Sequence, residues 1–141
     1  MNIFQPEIEE KKKKLKPVEE ITACVVDYGT FISVAEKLGE TVKKCYYFSP
    51  FEEEYTDLRE CVKGTGLNNV KRCENFLDPD IFDDIDLFVF PDIGYGAMQR
   101  HLRSLGKAVW GSMGASELEF YRTKFLEVVK ATGLQPYHRK R

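Results

Sequence analysis

The stretch Asp86 to Ser112, DLFVFPDIGYGAMQRHLRSLGKAVWGS, decides the fold of this chain. Residues 87–90 form a short apolar run that stops at Pro-Asp, a pattern typical of a strand buried on both faces of a parallel sheet. This run is followed by a turn with two glycines, then by a segment with apolar residues at helical spacing, and then by a second apolar run over residues 107–110. The right-handed crossover rule makes the two strands parallel. The stretch therefore predicts a strand, a helix and a second strand of an α/β protein.

The helix of this unit is predicted to bury Met98, His101, Leu102 and Leu105, because these residues recur at helical spacing before Gly106 ends the helix. Trp110, at the end of the second strand, is predicted to lie in the core. Ligands of open parallel sheets bind at the carboxyl ends of the strands. The segments that follow the two strands are therefore the first places to expect a binding site.

The composition predicts one soluble domain. With 141 residues, of which 43% are hydrophobic, the chain can fill a single core. A net charge of -2 gives no reason to expect nucleic acid or an anionic membrane as a partner. No apolar run approaches the ~20 residues of a membrane-spanning helix, and the first residues lack the pattern of a signal peptide. A cytoplasmic location is the simplest expectation.

The four cysteines indicate neither zinc binding nor catalysis. They are scattered without a C-x-x-C pair, and the chain has only two histidines. We expect all four thiols to be reduced, with structural roles, and Cys24 and Cys45 to lie inside strands.

Apolar runs alternate with helical patterns along most of the chain. Strands are predicted at residues 21–26, 41–48, 70–74, 86–90 and 107–110. This pattern predicts an α/β fold: a three-layer Rossmann-like domain with a five-stranded, mainly parallel sheet in the order 3-2-1-4-5. The domain is expected to span residues 21–137, between a charged N-terminal tail at 1–20 and a basic C-terminal end at 138–141.

Helices are predicted between these strands and after the last one. The first covers residues 31–39, and a short irregular helix is expected at 51–58. The longest begins with a capping box at Ser116 and Glu119 and ends near Thr132. Its predicted buried stripe consists of Leu118, Tyr121, Phe125, Val128 and Val129.

The turns at the strand ends offer candidate ligand-binding residues without a specific motif. After the first strand, Asp27 precedes a helix start whose free backbone N–H groups are expected to suit a phosphate or carboxylate. The glycine fingerprints of dinucleotide and P-loop sites are missing, and the second strand ends without the acidic residue of a NAD site. Asp27 and Asp92 are equally suited to capping a helix or contacting a ligand, and Ser112 is as plausible an N-cap as a ligand donor.

Several segments together resemble a known family. Residues 87–92, 99–105 and 106–112, with 117–125 and Gly133-Leu134, are similar to the N-terminal pre-ATP-grasp domain of ATP-grasp ligases, especially relatives of phosphoribosylamine–glycine ligase and phage-encoded ATP-grasp proteins. In that family the domain packs beside an ATP-binding domain of two α+β lobes. Its strand ends help to form the acceptor-substrate pocket.

The resemblance implies a set of substrate-binding residues and no catalytic residue in this chain. These residues follow the first, fourth and fifth strands or begin the last helix: Asp27, Tyr28, Gly29, Asp92, Gly94, Tyr95, Gly96, Gly111, Ser112 and Arg122. ATP and magnesium would bind to the ATP-grasp lobes, whose lysines and acidic ligands are not among these residues, so this chain is expected to hold no cofactor or metal.

The resemblance also implies partners. The expected function is substrate binding in an ATP-dependent carboxylate–amine ligase, with an ATP-grasp domain in cis or in trans and a small-molecule substrate, phosphorylated compounds included. Nucleic acid and membrane are not expected as partners, and a homodimer is a possible assembly. The chain alone is expected to be inactive.

Two alternatives remain open from the residues. The first is a stand-alone Rossmann-like module that binds a nucleotide, a sugar phosphate or a protein. The second, weaker one is a small hydrolase that uses Asp92, His101 and Ser112, although His101 lies on the predicted apolar helix face. An exposed apolar surface around the last helix and Tyr137 would favour a domain with a missing partner, whereas a closed polar surface would favour the module.

Overall fold

The computed structural model describes residues 16–50 and 64–134. The predicted helix at 51–58, Cys61, Tyr137, the basic end and most of the charged tail lie outside these residues. Residues 16–20 of that tail are described: Val18–Glu20 forms a 3-10 turn, and Lys16 Nζ lies 2.6 Å from Asp86 Oδ1.

A five-stranded sheet forms the centre of the molecule. Its strands are β1 (Thr22–Val26), β2 (Lys44–Phe48), β3 (Val70–Arg72), β4 (Leu87–Val89) and β5 (Ala108–Trp110). They lie in the order β3-β2-β1-β4-β5, and every neighbouring pair is parallel. The predicted Rossmann-like fold and strand order are confirmed. Because the chain moves outward from β1 in both directions, the strand order reverses between β1 and β4.

Helices cover both faces of the sheet. They are α1 (Ile32–Gly39), α2 (Pro79–Phe82), α3 (Gly96–Ser104), α4 (Ser116–Phe120) and α5 (Arg122–Ala131), with a 3-10 turn at Met113–Ala115 before α4. On one face, Ala23 and Val25 of β1 pack in a cluster with Ala35 of α1. On the other, Cys24 and Val26 pack in a cluster with residues of α2 and α3. Alternate residues of one strand thus fill two cores, as in a doubly wound sheet.

Four of the strands begin later than predicted, whereas β3 begins at Val70 as predicted and ends at Arg72 instead of residue 74. The clearest case is β2, which begins at Lys44 rather than at residue 41. The amides of Thr41 and Val42 both donate to the carbonyl of Leu38 at 2.9 Å, so this segment closes the end of α1 instead of pairing with β1. β1 and β4 have the buried character that their apolar runs predict.

The predicted buried face of α3 was partly wrong. The buried residues of this helix are Gly96, Gln99 and Leu102, whereas His101 is exposed. Leu105, which follows the helix, is 55% exposed. The side chain of Gln99 is buried because it bonds to a loop that follows β5, a contact that hydrophobic spacing does not register.

The prediction of one long C-terminal helix was also wrong. The backbone of Tyr121 leaves the helical region, with φ -107° and ψ 82°, and divides the segment into α4 and α5. Ser116 is inside α4 and its hydroxyl donates to Met113 O at 2.7 Å, so it forms no capping box. None of the described residues of α5 is buried. The predicted stripe is therefore half-buried or exposed, since α5 packs chiefly against α4 and not against the sheet.

Trp110 is exposed, which contradicts its predicted core position. It ends β5, the edge strand beside β4, and 61% of its surface is accessible. Because α5 lies on α4, the described helices leave this side chain open to solvent. Within residues 16–50 and 64–134, no helix has the length and apolar content needed to cross a membrane.

Candidate site at the carboxyl edge of the sheet

Asp27 follows β1 and is completely buried. Its Oδ1 accepts the Gly29 N–H at 2.8 Å, and its Oδ2 accepts the Phe31 N–H at 2.5 Å. The carboxylate therefore closes the turn that leads into α1, as a capping aspartate does. The expectation of free N–H groups in this turn was wrong for Gly29 and Phe31, because Asp27 takes both bonds.

Two tyrosines connect the loops after β1 and β4. The rings of Tyr28 and Tyr95 stack with centroids 4.7 Å apart and planes at 19°. The Tyr95 hydroxyl lies 3.5 Å from Asp27 O. Gly94 has φ 100°, and a Cβ there would lie 2.9 Å from the Tyr28 hydroxyl oxygen. The predicted residues Asp27, Tyr28, Gly94 and Tyr95 thus come together in a packed contact where the strand order reverses.

An open cleft lies beside this contact, between the ends of β4 and β5. It has a volume of about 380 Å³ and is lined by Phe90, Pro91, Asp92, Ile93, Trp110, Gly111 and Ser112. Three of the predicted site residues, Asp92, Gly111 and Ser112, are among them. The two strand ends are joined by a hydrogen bond of 2.9 Å from Phe90 N to Trp110 O. The size of the cleft suits a small molecule.

Asp92 is the acidic group of the cleft. Its side chain is half-buried, and its Oδ1 accepts the N–H of Ile93 at 2.7 Å. Among the described residues, no Lys or Arg forms a salt bridge with it. Ser112 is exposed and forms no side-chain cap bond to the 3-10 turn that follows, so of its two expected roles the N-cap is excluded.

Gln99 is the residue that the sequence predictions missed. It is completely buried in α3, its Oε1 accepts the N–H of Met113 at 2.8 Å, and its Nε2 has no hydrogen-bond partner among the described residues. A Cβ on Gly111 would lie 2.5 Å from Gln99 Oε1, so only glycine allows the cleft wall to approach this amide. The signal available in the sequence was a polar residue on the same helix face as Leu102, where an apolar residue is the usual choice.

The wall after β5 is held in an uncommon backbone conformation. Met113 has φ 47°, which is rare for a residue with a side chain. Its N–H bonds to Gln99 and its carbonyl oxygen to Ser116. A Cβ on Gly96 would lie 2.7 Å from that same oxygen, so the close packing of α3 against the wall requires glycine. Gly96 therefore supports the cleft from behind.

The structure does not place Arg122 or His101 in the cleft. Arg122 begins α5, where its guanidinium lies 4.8 Å from the centre of the Phe125 ring, and it borders a separate depression on α4 and α5. His101 is exposed on α3. Because His101 is not among the cleft residues, the hydrolase arrangement of Asp92, His101 and Ser112 is not assembled there.

Charged residues surround the helices after the cleft. Glu117 lies 3.1 Å from Lys124 Nζ and 3.5 Å from Arg100 Nη1. The hydrogen bond from Lys124 and the positive charges of both residues lower the pKa of the Glu117 carboxyl. These contacts link α4 to α3 and to α5 at the surface.

Neither ATP nor magnesium fits the described residues of this edge. No group of three or more His, Cys, Asp or Glu side chains that could hold a metal ion occurs in the described part of the chain. None of the described cleft residues is basic, and Asp27 already accepts the N–H groups of Gly29 and Phe31 in the first turn. The arrangement can hold a small ligand by one carboxylate, one hydroxyl and an aromatic surface.

Comparison of the chain with protein-family models, with curated proteins and with solved structures finds no significant match. The functional conclusion therefore rests on the residues and the geometry of this chain.

Proposed function

We propose that this chain is a substrate-binding domain of an ATP-grasp ligase that joins a carboxylate to an amine. The observation that carries the proposal is the apolar surface exposed at the C-terminal helices. Phe120 is 59% exposed, Tyr121 56% and Leu134 64%. Large apolar side chains that are exposed along neighbouring helices are typical of a surface that a partner covers.

The packing of α5 supports this interpretation. Among the described elements, this helix makes its main contacts with the short helix α4, and Val128 on it is 45% exposed. Fully burying one large apolar side chain stabilises a protein by roughly 1.5–3 kcal/mol. A second domain that covers several such side chains would therefore gain a substantial part of its docking free energy here.

The support from the chain path is that only a short turn separates the cleft from the start of α4. Ser112 lines the cleft, Met113–Ala115 forms a single 3-10 turn, and α4 begins at Ser116. A partner on α4 and α5 would thus lie close to a ligand held by Asp92. Since the described residues do not suit ATP or magnesium, the partner lobes would bind both, and this chain would position the other substrate and exclude water from it.

The proposal is tested by searching for the partner. We would read the DNA that follows codon 141 in the source genome and co-express this chain with each ATP-grasp protein encoded there. Size-exclusion chromatography is expected to show a complex with one of them, or the lobes are expected in the same reading frame. A Phe120→Ser, Tyr121→Ser double variant should lose the complex, whereas Ser104→Ala on the exposed end of α3 should keep it.

The absence of ATP-grasp lobes from the reading frame, together with no complex in any co-expression, would contradict the ligase proposal. Ligand binding in the cleft under those conditions would instead support the stand-alone binding module, because the cleft itself is formed by this chain alone.

A further inference from the structure

We infer that the cleft between β4 and β5 recognises the protonated amine of a small ligand, held between the Asp92 carboxylate and the Trp110 indole. The inference deepens the proposed function and rests on it, because the proposed function identifies the cleft as a substrate site. It names the amine-bearing substrate of the ligation as the molecule that this chain holds.

The first argument is the charge of the cleft. Of its seven lining residues in the described part of the chain, one is acidic and none is basic. Asp92 is half-buried and uses its Oδ1 to accept the Ile93 N–H, a bond that fixes the orientation of the carboxylate. A protonated amine would donate a charge-assisted hydrogen bond to this group. A phosphorylated or carboxylate ligand would meet a negative charge with no cation beside it.

The second argument is the position of the single tryptophan. Trp110 is the only tryptophan of the chain, it is 61% exposed, and it borders the same cleft as Asp92. Its carbonyl oxygen accepts the N–H of Phe90, so the end of β5 is fixed beside the end of β4. A cation over the face of an indole ring is attracted by the ring quadrupole, and tryptophan is the strongest such partner.

The third argument is the rigidity of the wall between these groups. Gly111 and Ser112 lie between Trp110 and Met113, and the Met113 N–H is fixed by the buried Gln99. Gly111 leaves no space for a Cβ against that amide. Because the loop is tied to α3, the backbone of this wall is fixed before a ligand arrives, which lowers the entropic cost of binding.

The test uses the fluorescence of Trp110, which reports directly on the cleft. The purified chain is titrated with ethylammonium chloride at pH 7, with sodium chloride at equal ionic strength as the reference. Inorganic phosphate and ribose 5-phosphate are titrated in parallel. We expect a saturable fluorescence change with ethylammonium only, with half-saturation on the order of 1 mM.

Two variants make the assignment specific. Asp92→Asn keeps an oxygen for the Ile93 N–H but removes the charge, and it should weaken ethylammonium binding about tenfold. Asp80→Asn, at an exposed position of α2 outside the cleft, is the matched control and should bind as the wild type does. Trp110→Leu, read by isothermal titration calorimetry, should also weaken binding. Circular dichroism confirms that each variant is folded.

The inference is overturned by equal responses to ethylammonium and sodium chloride, by saturable binding of phosphate instead of the amine, or by equal affinities in Asp92→Asn and the wild type. The titration needs no partner domain. Its failure is therefore distinguishable from the failure of the ligase proposal, which is judged by complex formation.

Discussion

Gln99 Oε1 accepts a hydrogen bond of 2.8 Å from the backbone N–H of Met113, and this bond ties α3 to the wall of the cleft. Gln99→Met, which removes the acceptor, should speed hydrogen exchange of the Met113 amide about fivefold, because one hydrogen bond contributes about 1 kcal/mol. Exchange followed by nuclear magnetic resonance measures this directly. Ser104→Ala, which changes a hydroxyl on the exposed end of the same helix, is the control. An unchanged Met113 amide in Gln99→Met would show that Gln99 does not hold the wall.

Gly96 allows α3 to approach the loop after β5. In Gly96→Ala, the new Cβ would lie 2.7 Å from Met113 O, and this overpacking should lower the free energy of unfolding by about 1–3 kcal/mol. Gly114→Ala is the matched control, because no atom lies within 4 Å of its Cβ position and the change should stay within about 0.5 kcal/mol. Urea denaturation of both variants gives the comparison. Equal free energies of unfolding for Gly96→Ala and Gly114→Ala would mean that the fold does not need the close approach at Gly96.

The ion pair between Lys44 and Asp84 should make stability depend on pH in the acid range. Lys44 Nζ lies 2.7 Å from Asp84 Oδ2, and its hydrogen bond is the main reason that the pKa of Asp84 is lowered. A carboxyl whose pKa is lower in the folded state stabilises the fold above its unfolded pKa of about 4, and this contribution is lost as the pH falls through the folded pKa.

Asp84→Asn should therefore reduce stability at pH 7 by less than about 1 kcal/mol, since both side chains are more than a third exposed. The difference in stability between this variant and the wild type should vanish as the pH falls through the folded pKa of Asp84. Thermal unfolding between pH 2 and pH 7 measures it. Glu40→Gln, which breaks the more exposed ion pair with Lys37, should leave the melting curves unchanged. A difference in stability between Asp84→Asn and the wild type that persists at pH 2 would show that the Lys44–Asp84 ion pair is not its cause.

The buried cysteines should react only after unfolding. Cys24, Cys45 and Cys73 are free and buried, and burial raises the pKa of the Cys45 thiol to about 12. Burial also raises the pKa of Cys24. The hydrogen bond with Cys24 lowers the pKa of Cys73, but this side chain is only 4% exposed, so the fold shields it from the reagent. In a Cys61→Ser variant, Ellman's reagent should find no fast thiol in the folded protein and three after urea treatment. A thiol that reacts rapidly without urea would contradict the reduced, inert role of these residues.

The strands and their order could be predicted because the signals are local. Apolar runs such as residues 87–90 end at Pro or Gly, which marks the ends of the strands. Because short helical segments connect these runs, the strands are expected to lie parallel, joined by right-handed crossovers. The break at Tyr121 could not be predicted in this way, because residues 116–132 contain neither Pro nor Gly. Trp110 was misplaced for the same reason: its exposure depends on where α5 packs.

The site could be predicted in part. The rule that ligands bind at strand ends identified Asp92, Gly111 and Ser112, which the fold brings into one cleft. It did not reveal that both carboxylate oxygens of Asp27 accept backbone N–H groups of the turn that follows. Nor did it reveal that Tyr28 and Tyr95 stack where the strand order reverses. Gln99 was missed because its partner, the Met113 amide, is 14 residues away in the chain. Such contacts are decided by tertiary packing, which residue spacing does not encode.

The measurement that tests the central claim most directly is the steady-state kinetics of the proposed ligase complex with the Asp92→Asn variant. We predict that the KM for the amine substrate rises about tenfold while the KM for ATP is unchanged, because in the proposed complex Asp92 would bind the amine and the partner lobes would bind the nucleotide. A raised KM for ATP with an unchanged KM for the amine, or no change in either constant, would contradict the assignment of the cleft as the substrate site.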